Sequence, residues 1–173
     1  MIIKPDNEML SYSGRIDFDD RLAPVLVYAC SSIGMKFTGT SLKAVIANHR
    51  SCWTNELGYF IDGEQKRFTL SSDEEKKTYT LAEGLSEGTH ELLLFKRMDS
   101  CHTFTFYGFE IDDGAEVLPL PEKPKRKMEF FGDSVSCGEV SEAVAYVGKP
   151  DPEHDGEYSN SWYSYAWMTA RKL

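Results

Sequence analysis

The residue best suited to chemistry in this chain is the serine of a Gly-Asp-Ser turn, Gly132 to Ser134. An apolar-rich run, Met128 to Phe131, comes directly before it. This pattern predicts a strand that ends in a tight turn, because Gly132 tolerates backbone conformations closed to other residues and Asp133 favours turns. Ser134 would then lie above the carboxyl end of the strand, where open α/β sheets place their ligands. The alternative is that Gly-Asp-Ser is only a turn.

A serine nucleophile needs a base to take its proton, a group that orients the base, and donors that stabilise the oxyanion. The backbone N–H of Ser134 is an expected oxyanion donor. Three of the four histidines, His49, His90 and His102, fall in a region with the character of strands. His90 follows a glycine-containing turn, and we predict that it is structural and bonds the backbone of that turn.

The stretch Glu129 to Gly138 resembles the SGNH, or GDSL-type, hydrolases, whose nucleophilic serine lies in a Gly-Asp-Ser motif directly after the first strand. It is also similar to the more specific pattern of carbohydrate esterase family two, in which a β-sandwich precedes the hydrolase domain. Each further match is short, but their common order makes the resemblance specific. The matches are Gly14-Arg15, Phe37 to Thr40, Ile61 to Gly63, Leu85 to His90, Phe95 to Arg97, Ser164 to Ala166 and Ala170-Arg171.

The resemblance implies a carbohydrate O-acetyl esterase similar to acetylxylan esterases, with Ser134 as nucleophile in the motif of Gly132 and Asp133. It implies acetylated oligosaccharide or polysaccharide as substrate and no cofactor. In such enzymes later segments supply a Gly and an Asn for the oxyanion hole and a His, sometimes as Asp-x-x-His, as base. Asp151 to His154 matches that pattern only 20 residues after Ser134, and we interpret His154 as a solvated loop histidine. We therefore expect these residues to be the inactive N-terminal part of an enzyme.

A second interpretation is a non-catalytic, carbohydrate-binding β-sandwich with a C-terminal extension. The β-rich half of the chain favours it, whereas the Gly-Asp-Ser turn counts against it. Trp53 follows the end of a predicted strand and is a candidate for stacking on a sugar ring. Trp167 lies on the apolar stripe of a predicted helix, and we expect it in the core.

The charge of the chain restricts its partners. The formal net charge is −9, which argues against nucleic acid and anionic membranes because both favour cationic surfaces. No apolar run approaches the ~20 residues of a membrane span. The N-terminus lacks the apolar core of a signal peptide, so we expect a cytoplasmic enzyme acting on imported oligosaccharides.

The four cysteines are far apart in sequence and include no C-x-x-C pair, so the spacing predicts no metal site. They are Cys30, Cys52, Cys101 and Cys137. Without a secretory signal they are expected to be free thiols in a reducing compartment. Cys137 follows Ser134 by three residues, and we predict a packed small residue rather than a nucleophile.

Residues 11–118 are predicted to form an antiparallel β-sandwich or jelly roll. Ile33, Met35 and Phe37 alternate with less apolar residues, as in strands with one buried face. Asp62-Gly63 is a hairpin signal, and further strands are predicted over residues 57–61, 67–70, 77–82, 89–96 and 103–111. The predicted core comprises Ile33, Met35, Phe37, Leu42, Ile46, Leu92, Leu94, Phe104 and Phe106.

A proline-rich stretch divides the chain into a sandwich at 1–120, a linker at 121–126 and the start of a hydrolase domain at 127–173. The third part is predicted to hold a strand over Lys127 to Phe131 and a helix over Asn160 to Lys172. Tyr163, Ala166, Trp167 and Ala170 would form its apolar stripe. One strand and one helix cannot complete a doubly wound sheet, so we expect a truncated domain that packs on the sandwich or pairs with a second copy of the chain.

Overall fold

The computed structural model describes residues 1 to 173 and contains an antiparallel β-sandwich followed by a mainly irregular C-terminal segment. Twelve strands, β1 to β12, form two six-stranded sheets. Their bounds are Ile2–Ile3, Ser11–Ser13, Ile16–Asp17, Val25–Leu26, Ser32–Thr38, Leu42–Arg50, Glu56–Ile61, Glu64–Thr69, Lys77–Ala82, Thr89–Lys96, His102–Ile111 and Val117–Leu118. The predicted mainly β, antiparallel fold is confirmed.

The chain crosses between the two sheets at almost every connection. One sheet has the order β3-β4-β11-β6-β9, with β1 also paired to β11. The other has the order β12-β5-β10-β7-β8, with β2 also paired to β5. From β5 onward only the β7–β8 hairpin stays within one sheet, and this alternation gives the sandwich its jelly-roll character.

The core lies between the two sheets and consists of 20 buried apolar residues. All nine predicted core residues belong to it, and none exposes more than 3% of its surface. The prediction succeeded because each strand buries one face, so that period-two alternation in the sequence maps directly onto the interior. Removing such a large side chain, for example Phe106, costs about 3–5 kcal/mol in typical cores.

The predicted hairpin at Asp62-Gly63 is present and is held by His90. Asp62 and Gly63 both adopt positive φ, 52° and 84°, as a type I′ turn requires. The buried His90 ring contacts the Asp62 carboxylate through Nδ1 at 2.6 Å and the Ser86 carbonyl through Nε2 at 2.9 Å. The predicted structural role of His90 is thus confirmed.

We expect this pair to make stability depend on pH. The hydrogen bond with Asp62 raises the pKa of His90, although burial opposes it, and the Ser86 carbonyl adds to the rise. Desolvation alone would raise the pKa of Asp62, but its hydrogen bonds with His90 and the Glu91 N–H lower it overall. His90 therefore stabilises the fold below its unfolded pKa of ~6.5 and loses this effect at higher pH, whereas Asp62 loses its contribution as pH falls below ~3.9.

The free energy of unfolding is measured with urea for the wild type and for Asp62→Asn. The measurements are made at pH values between ~3.9 and ~6.5 and at pH values above ~6.5. Asparagine keeps the positive-φ turn but removes the charge. The wild type should lose stability relative to Asp62→Asn as pH rises through the His90 titration. Parallel pH profiles for the two proteins would contradict the role assigned to the pair.

The predicted strand at Lys127 to Phe131 is wrong. Residues 119–133 form no strand. A strand is stabilised by a hydrogen-bonded neighbour, and no part of these 173 residues pairs with this stretch. Its apolar side chains are instead exposed: Phe131 exposes 81% of its surface.

The C-terminal segment contains two short α-helices, α1 (Ser134–Cys137) and α2 (Tyr165–Lys172), and 3-10 turns at Val144–Tyr146 and Ser161–Tyr163. The predicted helix from Asn160 is therefore interrupted, because Ser164 adopts extended φ and ψ and caps α2 by accepting from the Trp167 N–H. Of its predicted apolar stripe only Ala166 is buried, while Tyr163 and Ala170 are exposed. Neither helix has the length and apolar character needed to cross a membrane.

Candidate active site

Ser134 begins helix α1, and Asp133 is the N-cap of that helix. The Asp133 carboxylate accepts from the Val135 N–H at 3.2 Å, and the Asp133 carbonyl accepts from the Cys137 N–H at 3.1 Å. The half-buried Ser134 makes no protein hydrogen bond through its hydroxyl or its own N–H. The turn therefore leaves both groups without a protein hydrogen-bond partner.

Gly132 is required by the close approach of Ser136. A Cβ at Gly132 would lie 2.0 Å from Ser136 Oγ and 2.7 Å from its Cβ. The Ser136 hydroxyl in turn lies 2.8 Å from the Tyr165 hydroxyl on α2. Gly132 thus allows the chain to pass close to α1. The contact between Ser136 and Tyr165 links α1 to α2.

Gly138 ends α1 in the left-handed conformation, with φ of 79°. A Cβ there would lie 2.7 Å from the Asn160 carbonyl oxygen, so glycine is needed both for the turn and for the contact. The Asn160 N–H donates to the Gly138 carbonyl at 3.0 Å. The end of α1 is therefore fixed against the segment that leads into α2.

Asn160 is completely buried, and its contacts help to link the C-terminal segment to the sandwich. Its side-chain amide donates to Glu142 Oε1 at 2.7 Å, and its side-chain oxygen accepts from the Trp162 N–H at 3.1 Å. The other oxygen of Glu142 accepts from Arg97, which follows β10. Arg97 also lies 3.6 Å from Glu56, which Arg67 contacts at 3.1 Å.

Backbone and aromatic contacts at the end of β10 complete this junction. The Ser161 N–H donates to the Arg97 carbonyl at 2.9 Å, and the Ser161 hydroxyl donates to the Lys96 carbonyl at 2.8 Å. The Phe95 ring lies 5.8 Å from Trp162 and 5.3 Å from Trp167. The C-terminal segment thus packs on the sandwich, which was one of the two predicted outcomes.

None of the four histidines bonds the Ser134 hydroxyl. His49 contacts Thr105, His90 holds the hairpin, and His102 lies near Cys52. His154 departs from the prediction of a solvated loop residue. It is half-buried, its Nδ1 accepts from the Gly156 N–H at 3.1 Å, and its ring lies 4.7 Å from that of Trp53.

Trp53 lies in the loop after β6 and is half-buried. Its contact with His154 occupies part of its surface. The neighbouring Thr54 hydrogen-bonds Asp155 through its hydroxyl and, at 3.3 Å, through its N–H. The loop that carries the candidate sugar-stacking residue is therefore attached to the C-terminal segment.

Cys137 and Cys30 are packed thiols. Cys137 is half-buried, and burial raises its pKa, which keeps the thiol protonated and weakly nucleophilic. Burial raises the pKa of Cys30 to about 11, and its thiol donates to the Ser161 carbonyl at 3.6 Å.

The other two cysteines are free thiols, as predicted, but they lie close together. Cys52 Sγ lies 3.6 Å from Cys101 Sγ and 4.0 Å from His102 Nε2. Arg50 and His102 are paired across β6 and β11, so the residues that follow one strand and precede the other meet at the same end of the sheet. Cys52 and Cys101 are 49 residues apart, so their contact leaves no local signal in the sequence.

The contacts of Arg97 and its neighbours with the C-terminal segment were also not predicted from the sequence. The stretch Phe95 to Arg97 appeared only as a short match to a family. In the structure each of its residues contacts the segment that bears Ser134, and the basic character of Lys96 and Arg97 at the end of an apolar strand was the available signal.

Comparison with known proteins agrees with this architecture. The family model described as carbohydrate esterase 2 N-terminal matches residues 12–121. Cellulase/esterase CelE of Acetivibrio thermocellus is 32% identical over 169 residues, 97% of this chain and 20% of that protein. The acetylxylan esterase / glucomannan deacetylase of Cellvibrio japonicus is 26% identical over 150 residues, 83% of this chain and 40% of that protein. The chain thus spans less than half the length of both relatives.

Solved structures give the same result. A family two carbohydrate esterase from Clostridium thermocellum, in complex with cellohexaose, superposes with a TM-score of 0.82 at 30% identity, over 94% of this chain and 48% of that one. The acetyl xylan esterase Est2A from Butyrivibrio proteoclasticus superposes with a TM-score of 0.83 over 99% of this chain and 46% of that one, at 20% identity, and shares the fold. The chain belongs to carbohydrate esterase family two, and its β-sandwich is the N-terminal domain of that family.

Proposed function

We propose that these 173 residues are the N-terminal part of a carbohydrate O-acetyl esterase in which Ser134 is the nucleophile. One observation carries the proposal: the Gly-Asp-Ser turn leaves both the hydroxyl and the N–H of Ser134 free of protein partners. The esterase names of the relatives support the substrate class. We extend the inference to acetylated oligosaccharide or polysaccharide.

In the proposed reaction Ser134 Oγ attacks the carbonyl carbon of a sugar acetate while a base takes its proton. The Ser134 N–H donates to the oxyanion, an interaction that in other enzymes contributes about 3–4 kcal/mol for each donor. The C–O bond to the sugar breaks, the base returns the proton to the sugar oxygen, and acetyl-serine remains. Water then attacks this ester, which releases acetate and restores the serine hydroxyl.

The base and the remaining oxyanion donors are proposed to come from protein outside these 173 residues. Two features favour this. No histidine contacts Ser134, and exposed apolar side chains surround the turn, with Phe131 exposing 81% and Val135 71% of their surfaces. The rest of a hydrolase domain would cover them in the complete enzyme. In the isolated chain the alternative cover is a second copy, which sedimentation velocity would detect.

The test is acetate release from acetylated xylo-oligosaccharide by two proteins. The complete enzyme, with its hydrolase domain intact, should release acetate catalytically, whereas the 173-residue chain should not exceed background. Activity of the isolated chain would show that the base lies within it. Inactivity of the complete enzyme on every acetylated sugar offered would contradict the proposed reaction.

A second candidate function is non-catalytic carbohydrate binding by the sandwich. A family 35 carbohydrate binding module from an environmental isolate superposes with a TM-score of 0.54 over 70% of this chain and 99% of that one. At 13% identity this similarity shows the fold alone. Trp53 is the proposed sugar contact in either case, and tight binding of a deacetylated oligosaccharide that Trp53→Ala abolishes would favour this function.

A further inference from the structure

The cluster of Cys52, Cys101 and His102 lies at one end of the sandwich, where β6 ends and β11 begins. One ligand atom from each residue lies within 4.8 Å of the other two. The sulfur atoms are 3.6 Å apart, and Cys52 Sγ is 4.0 Å from His102 Nε2. We propose that these three side chains form a binding site for a soft divalent cation, with zinc as the expected occupant.

The distances fit a tetrahedral ion. With Zn–S of about 2.3 Å and Zn–N of about 2.0 Å, a tetrahedral site places its sulfurs about 3.8 Å apart and sulfur and nitrogen about 3.5 Å apart. The sulfur–sulfur distance of 3.6 Å and the sulfur–nitrogen distance of 4.0 Å need shifts of only a few tenths of an ångström. Two thiolates and one imidazole are a ligand set that zinc prefers.

His102 supplies an independent reason. The residue is completely buried, and its Nε2, the nitrogen nearest Cys52, has only the long sulfur contact. Polar atoms buried in this way are costly and normally find partners. A cation between Nε2 and the thiolates would replace the weak sulfur contact with a coordinate bond.

The cluster is open to solvent on one side. Two thiolates would neutralise a divalent ion, and its binding would release their protons. Cys52 is exposed, so solvent reaches the cluster and water can supply the fourth ligand.

Occupancy would affect the loop that carries Trp53. Cys52 lies in that loop directly before Trp53, Trp53 packs on His154, and Thr54 bonds Asp155. An ion that holds Cys52 to the start of β11 would therefore restrain the contact between the sandwich and the C-terminal segment. This consequence concerns order in the loop and is independent of esterase activity.

The experiment uses the 173-residue chain, reduced and free of any metal-binding tag. Zinc affinity is measured by competition with a chromophoric chelator, and cobalt is used to detect thiolate-to-metal charge-transfer absorption. We expect one ion per chain. Loss of an outer-shell partner alone costs about 10–100-fold in metal affinity, so Cys52→Ser, which removes a ligand, should weaken zinc binding at least ~100-fold and abolish the cobalt absorption.

The matched controls are Cys30→Ser and Cys137→Ser, which remove thiols outside the cluster and should bind zinc as the wild type does. Cys52 is exposed, so its substitution should leave the circular dichroism spectrum unchanged. Hydrogen exchange in residues 51–55 should slow when zinc is added to the wild type but not to Cys52→Ser. Equal zinc affinity of wild type and Cys52→Ser would overturn the site. So would a reduced chain that takes up no zinc and whose Cys52 and Cys101 are recovered as a disulfide after air oxidation.

Discussion

In the complete esterase, Ser134→Ala should lower kcat/KM for acetylated xylo-oligosaccharide by ~10⁶-fold, the size of loss seen when a serine hydrolase loses its nucleophile. The physical reason is that the acyl intermediate would form on the unpartnered Ser134 hydroxyl, whereas the neighbouring Ser136 hydroxyl is engaged with that of Tyr165. Cys137 is the nearest thiol in sequence, and burial raises its pKa, which leaves it a poor substitute. The measurement is initial acetate release at substrate concentrations well below KM.

The fold should survive this substitution. The Ser134 hydroxyl makes no protein hydrogen bond, and the cap of α1 depends on Asp133, so the free energy of unfolding should change by no more than ~0.5 kcal/mol. Ser72→Ala is the matched control, since Ser72 is exposed on the sandwich and its loss should leave kcat/KM unchanged. Wild-type activity in folded Ser134→Ala would exclude Ser134 as the nucleophile.

The sandwich could be predicted from sequence because its signals are local. Ile33, Met35 and Phe37 alternate along a single strand, and Asp62-Gly63 specifies its turn within two residues. Each of these patterns is determined by the geometry of neighbouring residues. The turn at Ser134 was also found from local signals, since Asp133 caps α1 and Gly132 makes room for Ser136 four residues later.

The errors came from features that depend on distant residues. Lys127 to Phe131 has the composition of a strand, but a strand also needs a hydrogen-bonded partner, and this chain offers none. Ser164 interrupts the predicted helix because the chain there turns to bury Ser161 against Lys96 and Arg97. Helical periodicity contains no information about that contact.

The contact between two of the cysteines also depends on distant residues. Cys52 and Cys101 meet because β6 and β11 pair in one particular register, with Arg50 opposite His102. A shift of this register by one residue would turn His102 to the other face of the sheet. The metal site proposed above is therefore a property of the tertiary fold, which motif spacing cannot reveal.

Arg97→Met should destabilise the chain by about 3 kcal/mol, the lower end of the cost of removing one partner from a buried ion pair. The Arg97 side chain is only 3% exposed and contacts both Glu142 and Glu56. Its loss leaves Glu142 without a cation, and Glu142 in turn orients Asn160 against the end of α1. Urea unfolding measures the loss, and hydrogen exchange in residues 138–163 should report release of the segment.

Two further variants distinguish the effect of losing the ion pair from the effect of losing packing alone. Arg15→Met removes the other ion pair to the C-terminal segment, Arg15–Glu129, whose side chains are 66% and 57% exposed, and exposed pairs contribute about 0–1 kcal/mol. Glu142→Gln added to Arg97→Met removes the uncompensated carboxylate and should recover part of the stability. Equal losses for Arg97→Met and Arg15→Met would contradict the assigned role.

The stability lost in Arg97→Met should depend on pH because Glu56 titrates. Burial raises the pKa of Glu56, while Arg67 and Arg97 oppose the rise. Without Arg97 that pKa should rise further, and a carboxyl whose folded pKa exceeds its unfolded value favours folding in its protonated form. The stability deficit of Arg97→Met should therefore shrink as pH falls through the Glu56 titration, whereas the deficit of a variant that has lost only packing would stay constant.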